Sequence, residues 1–188
     1  MPPALKALFK QALTDGVDSV TEITLTSYEL SQKACESLAV LVAELPQLTK
    51  LVLENTQLDA ASCSALSTSL NKAKQLKSLV VVGNSLSEGL DPLAAALPAL
   101  PHLKSLVLCD NQLTRHSVQK LAGVLPQLSA LRYLDLRENE LGRRGTSTLV
   151  EALTSLPRLK EFFFDAEDFD EELLEKFQLQ LPQVSFES

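Results

Sequence analysis

This chain has no tryptophan, and among its 188 residues only three cysteines and two histidines occur. That scarcity removes much of the usual chemistry. His102 and His116 have no partner at metal-ligand spacing, and there is no HExxH, so no metal site is expected. Phosphate-binding GxxxxGK[ST], dinucleotide-binding GxGxxG and the GxSxG nucleophile turn are all missing. Cys35, Cys63 and Cys109 are odd in number and form no CxxC, which argues against a disulfide framework. Cys35 and Cys63 read as small buried apolar groups, and Cys109 as an exposed thiol with no histidine placed to activate it. No catalytic residue, cofactor or enzymatic activity is expected.

Positive charge is also in short supply. Net charge is −7, whereas nucleic acids and anionic membranes are held by a surplus of lysine and arginine. Neither is an expected partner. No apolar run reaches the ~18 residues of a membrane span. The first twenty residues are broken by Lys6, Lys10 and Gln11 and do not read as a secretory signal. A soluble, cytoplasmic protein is expected.

Hydrophobic residues, in contrast, reach 45%, and they recur in a fixed phrase. Residues 131–141 read LRYLDLRENEL. Close copies are LTKLVLENTQL from 48, LKSLVVVGNSL from 76 and LKSLVLCDNQL from 103. Looser copies are VTEITLTSYEL from 20 and LKEFFFDAEDF from 159. The starts lie 28, 28, 27, 28 and 28 residues apart, a period that signals stacked repeats.

The first half of each phrase alternates with strand period. In LRYLDLR, Leu134 and Leu136 share one face, while Tyr133, Asp135 and Arg137 share the other. Helical spacing follows in the second half: Leu66 and Leu70, Leu121 and Leu125, Leu149 and Leu153 each stack one turn apart. Ser31, Asp59, Ser87 and Thr114 are placed to cap those helices. Pro46, Pro101, Pro126 and Pro157 stand where helices should end.

The repeated LxxLxLxxNxL with a helical half in a 28-residue unit resembles leucine-rich-repeat proteins of the long, ribonuclease-inhibitor-like subclass. The resemblance covers residues 20–169. It implies an α/β fold, a right-handed leucine-rich-repeat solenoid forming a horseshoe segment, with a parallel β-sheet on the concave face and helices on the convex face. One domain, 1–188, is expected. Residues 1–19 give an N-terminal capping helix, 20–169 six repeat strands with intervening helices, and 170–188 a C-terminal cap. In that cap QVSFES starts a seventh strand with Val184 and Phe186 inward, and the acidic cluster from 165 to 175 reads as a solvated face. Asn84, Asn111 and Asn139 form a structural ladder, since an amide can donate and accept where the backbone bends out of the strand. Thr56 can partly replace them; Tyr28 and Glu167 cannot fit the same slot.

The third, fifth and seventh places of each phrase should face outward on the concave sheet. Across the repeats they assemble Val52, Val80, Val82, Val107 and Cys109 into an apolar patch, with Tyr133, Asp135, Arg137 and Phe163 beside it. Valine also favours strands for its own sake, but contiguous exposed apolar area marks interaction sites and aromatics anchor interfaces. At the second places Lys77, Lys104, Arg132 and Lys160 line one strand edge; Glu54, Asp110, Glu138 and Asp165 line the other. The resulting expectation is a non-catalytic protein–protein interaction module or scaffold that holds a protein or peptide on its concave sheet. The alternatives are a regulator of a small GTPase, resembling activators of the Ran GTPase, and a cytoskeleton-associated repeat protein.

Overall fold

A strand with a free edge on each side is unstable alone, and this chain solves the problem by repetition. The computed structural model describes residues 2–87 and 89–187, the side chains of Phe186 and Glu187 excepted; the expected inward placement of Phe186 lies outside the described residues. After helix α1 (Pro3–Asp15), strands and helices alternate: β1 (Glu22–Thr26), α2 (Gln32–Ala43), β2 (Lys50–Glu54), α3 (Ala60–Leu70), β3 (Ser78–Val82), α4 (Leu90–Ala96), β4 (Ser105–Val107), α5 (Arg115–Val124), β5 (Tyr133–Asp135), α6 (Gly142–Leu153), β6 (Glu161–Phe163), α7 (Glu171–Gln180) and β7 (Ser185–Glu187). The strands form one parallel sheet in chain order, β1 to β7. Each phrase pairs in register with the next, as in Val52–Val80–Val107–Asp135–Phe163.

The helix crossovers bury one face of that sheet. Leu51, Leu79, Leu106 and Leu134 are each 0% exposed, as are Leu66's partner Leu70 and the helix residues Leu121 and Leu149. Together they make one continuous core from Leu5 in α1 to Val184. In β1, β2 and β3 burial alternates residue by residue, so the opposite face is open. At the last full unit phenylalanine replaces leucine. Phe162, Phe164, Phe169 and Phe177 pack ring against ring and close that end of the core.

The chain leaves each of the first five strands through a left-handed residue at the eighth place of the phrase: Ser27, Asn55, Gly83, Asp110 and Glu138 all have φ between 51° and 63°. The bend turns backbone amides toward the next unit, where an asparagine receives them. Asn84 Oδ1 accepts from Thr56 N, Thr56 Oγ1 and Leu58 N at 2.9–3.0 Å, and its Nδ2 donates to Leu53 O and Val82 O. Asn139 does the same for Asn111 N and Leu113 N, and donates to Leu108 O, Leu136 O and Arg137 O. Asn111 differs. Its Nδ2 donates to Val81 O and Cys109 O, but its buried Oδ1 has no partner among the described residues. The cause is the turn before it. Gln57 and Gln112 are left-handed at the tenth place and Ser85 is not; the amides of Asn84 and Leu86 consequently bond the backbone carbonyls of Asp110 and Asn111.

Two expectations need correction, one for a helix cap and one for the acidic cluster. Ser87 does not cap α4, which begins after Gly89. A Cβ on Gly89 would stand 3.1 Å from Ala60 Cα and 3.2 Å from Cys63 Sγ, so the start of α4 lies close against α3. The acidic cluster is not merely solvated. Asp165 Oδ2 accepts from Asn139 N where an asparagine would be expected, Asp168 Oδ1 accepts from Gly142 N, and Asp170 caps α7 through Leu173 N. Lastly, Asp168 is buried, and that burial pushes its carboxyl above the usual range. Ser31 and Asp59 do accept from Ala34 N and Ser62 N, and Thr114 forms a reciprocal capping box with Ser117.

Replacing Asn84 by alanine strands several buried amides and carbonyls, each costing about 1–3 kcal/mol. Asn111→Ala loses only two donated bonds and an oxygen that had no partner. Urea unfolding should place the midpoint of Asn84→Ala below that of Asn111→Ala, with the slope unchanged; equal midpoints would refute this account of the third turn.

Candidate functional site

Because side chains in a strand alternate, the odd places of each phrase are delivered to the open face whatever else they do. Val52, Val80, Val82, Val107 and Cys109 stand there on adjacent strands or just beyond them, all partly exposed. Val81, between two of these valines, is 0% exposed. Strands ~4.8 Å apart place Val52, Val80 and Val107 in a row, with Val82 and Cys109 one pleat further along. The N-terminal end of the face is different: Glu22, Thr24 and Thr26 of β1 are exposed and polar.

At the other end of the row the face carries a compact polar and aromatic cluster. Arg137 reaches back to Asp135 with two bonds, Nε to Oδ1 at 3.0 Å and Nη2 to Oδ2 at 2.7 Å, while its own amide donates to Oδ1. The same guanidinium lies over the ring of Phe163, 4.8 Å from its centroid. Tyr133 packs against that ring at 5.0 Å, and its hydroxyl donates to Asp135 Oδ2 at 3.4 Å. The Cys109 thiol also interacts with Asp135. Three side chains, Arg137, Tyr133 and Cys109, thus converge on one carboxylate, and Phe163 of the next strand packs against the first two.

This cluster corrects two of the expected contact residues. Phe163 and Asp135 lie on the open face but are only 7% and 2% exposed. Tyr133 and Arg137 of the preceding repeat roof Phe163, and Arg137 and Tyr133 of its own repeat, with Cys109 of the one before, enclose Asp135. Tyr133 and the Arg137 guanidinium are partly exposed members of the cluster. Phe163 and Asp135 are their supports.

Electrostatics agree with that division. Burial by itself would raise the Asp135 carboxyl, but the bonds from Arg137, Cys109 and the Arg137 amide outweigh it and hold the group below its ordinary value. Asp135 in turn holds Arg137 firmly in its charged form. The Cys109 thiol is pushed up to about 12, first by burial and then by its bond to Asp135, and burial does the same to Cys63. Neither is a ready nucleophile. His102 is exposed in the turn before β4, and His116 is exposed on α5. Among the described residues no group of three His, Cys, Asp or Glu is arranged to hold a metal ion, and no helix is long and apolar enough to cross a membrane. What the face offers is a fixed cation beside an aromatic edge and a strip of valine.

No protein-family model and no curated protein matches this chain. Solved structures do share its fold. A structure described as leiomodin-1 actin-binding site 2 superimposes with a TM-score of 0.60 at 13% identity, covering 97% of this chain and 90% of the other. The tropomodulin C-terminal domain from Caenorhabditis elegans gives 0.58 at 13% identity, covering 95% and 92%. The likeness is one of fold, and the fold is of the leucine-rich-repeat type.

Taking away Arg137 leaves Asp135 buried without its cation. Breaking a fully buried pair costs about 3–5 kcal/mol; Arg137 is 42% exposed, so Arg137→Ala should cost about 2 kcal/mol at pH 7. The folded Asp135 is depressed below 3.8, so its contribution is complete above pH ~4 and is lost as pH falls through the folded value. Urea unfolding at pH 7 and pH 3 should show the wild-type advantage narrowing in acid; an equal gap at both would contradict this role for Asp135.

Proposed function

We propose that this chain is a non-catalytic, cytoskeleton-associated protein-binding module, and that its partner is actin or an actin-bearing assembly. The observation that carries the reading is the open sheet face. It presents partly exposed valines on three successive strands, ending at a guanidinium already held in place by Asp135 and Phe163. Preorganisation of that kind lowers the ordering cost of binding, and exposed aromatic and arginine side chains supply interface anchors. The choice of actin draws support from the fold shared with a structure described as an actin-binding site. The contact set is Val52, Val80, Val82, Val107, Cys109, Tyr133 and Arg137, with Asp135 and Phe163 acting beneath the last two.

In this reading the repeats are of the long, ribonuclease-inhibitor-like subclass. Helices are wider than strands, and a stack of such units curves right-handedly into a horseshoe segment with the sheet on the inside. The curvature brings the valine strip and the Arg137 cluster to bear on one convex partner surface. Action inside the cytoplasm accords with such a partner and with thiols that stay unpaired.

Co-sedimentation with filamentous actin, alongside pull-down of monomeric actin, tests the proposal. The wild type should be captured by one of them. Val80→Glu combined with Val107→Glu places two charges on the strip without touching the core, and should weaken capture about tenfold or more, a change of ~1.4 kcal/mol or greater. Circular dichroism and thermal melting should remain close to wild type. Absence of capture by either form of actin would overturn the partner, whereas full capture of the double variant would overturn the face.

A further inference from the structure

The strand-entry edge of the sheet carries a second surface, separate from the open face. Lys77, Lys104, Arg132 and Lys160 occupy the residue immediately before β3, β4, β5 and β6. Their backbones are rungs of one ladder: Lys104 N donates to Lys77 O, Arg132 N to Lys104 O, and Lys160 N to Arg132 O, at 2.8–2.9 Å. All four are exposed. Four such rungs at ~4.8 Å cover about 14 Å. The earlier rungs, Thr21 and Thr49, are uncharged, so the basic row begins at the third repeat.

Two further observations distinguish this row from ordinary solubilising charge. The ion pairs among the described residues are Lys120 with Asp91 and Arg137 with Asp135, so no described carboxylate forms an ion pair with the row. At its far end the row opens into a cleft of about 520 Å³ formed by Arg132, Arg158 and Lys160 with Pro157, Leu159 and Gln183. Among the described residues its lining holds three cations and one amide, with Pro157 and Leu159 apolar, and no acid. The opposite edge of the same sheet carries Glu54, Asp110, Glu138 and Asp165. The field across the strands therefore directs anions to the entry edge.

We propose that this edge is a binding site for an acidic polypeptide segment, lying along Lys77 to Lys160 with a carboxylate seated between Arg132, Arg158 and Lys160. Arginine's planar fork takes a carboxylate with two parallel bonds. A polypeptide with a few acidic residues suits a short row on a protein of net charge −7. Nucleic acid and anionic membrane are dense polyanions that the remaining surface repels, and the row has no aromatic on which bases could stack. The site is distinct from the valine strip, and its occupation does not depend on actin.

Fluorescence anisotropy of a labelled deca-glutamate peptide tests this at low and at physiological salt. Binding should be measurable at low salt and weaken as salt rises. Arg132→Glu with Lys160→Glu should weaken it at least tenfold. Lys10→Glu with Lys33→Glu makes the same change in net charge on α1 and α2 and should leave it within about twofold. Circular dichroism checks that both double variants are folded, and actin capture by the wild type reports separately on the open face. The proposal is overturned by absence of binding at low salt, by equal loss in the two double variants, or by an uncharged-base oligonucleotide or inorganic phosphate displacing the peptide at lower concentration than deca-glutamate itself.

Discussion

Each inner strand of this parallel sheet has to find a hydrogen-bonding neighbour on both sides, and a crossover long enough to return the chain must carry its own apolar stripe. Those two demands together dictate a unit of one strand and one helix added by translation. Once Leu51, Leu79, Leu106 and Leu134 are fixed at 0% exposure, strand alternation sends Val52, Val80, Val107 and Asp135 to the other face. The open face is therefore a consequence of the core. Its chemistry is free to vary because no inward packing depends on it.

The same translational logic explains how the turns are secured. A left-handed residue at the eighth place directs amides into the next unit, and an asparagine, or at the end Asp165, receives them. One side chain thereby ties together two units and the bend between them. Where the turn changes course, at Ser85, the asparagine of the next unit is left with an unpartnered oxygen. That point coincides with the one repeat shorter by a residue and with the shortest of the helices from α1 to α7, α4.

Much of this was legible because leucine periodicity and side-chain amides are properties of a single unit. The strand faces, the helix stripes and the roles of Asn84 and Asn139 follow from reading one phrase at a time. The failures share a cause: they depend on contacts between units. Gly89 precedes α4 where that helix comes close against α3. Phe163 was expected as an exposed anchor, yet Tyr133 and Arg137 from the preceding unit cover it. Asp165 and Asp168 were read as surface charge, although each receives a backbone amide from the preceding unit. A carboxylate can accept as an asparagine does, and only the neighbouring turn reveals which acids do so. Binding at the site was not legible in the same sense. Valine on a strand has the same identity whether it meets a partner or water.

The most direct measurement is methyl NMR of the valine- and leucine-labelled protein in the presence of a soluble paramagnetic agent. Val80, Val81 and Val82 are consecutive, so they give an internal control free of differences in local backbone. The account requires the methyls of Val80, Val82, Val52 and Val107 to broaden, while those of Val81, Leu79, Leu106 and Leu134 stay sharp. Broadening of Val81 to the extent seen for Val80 would contradict it, because the two faces of the sheet would then be equally wet.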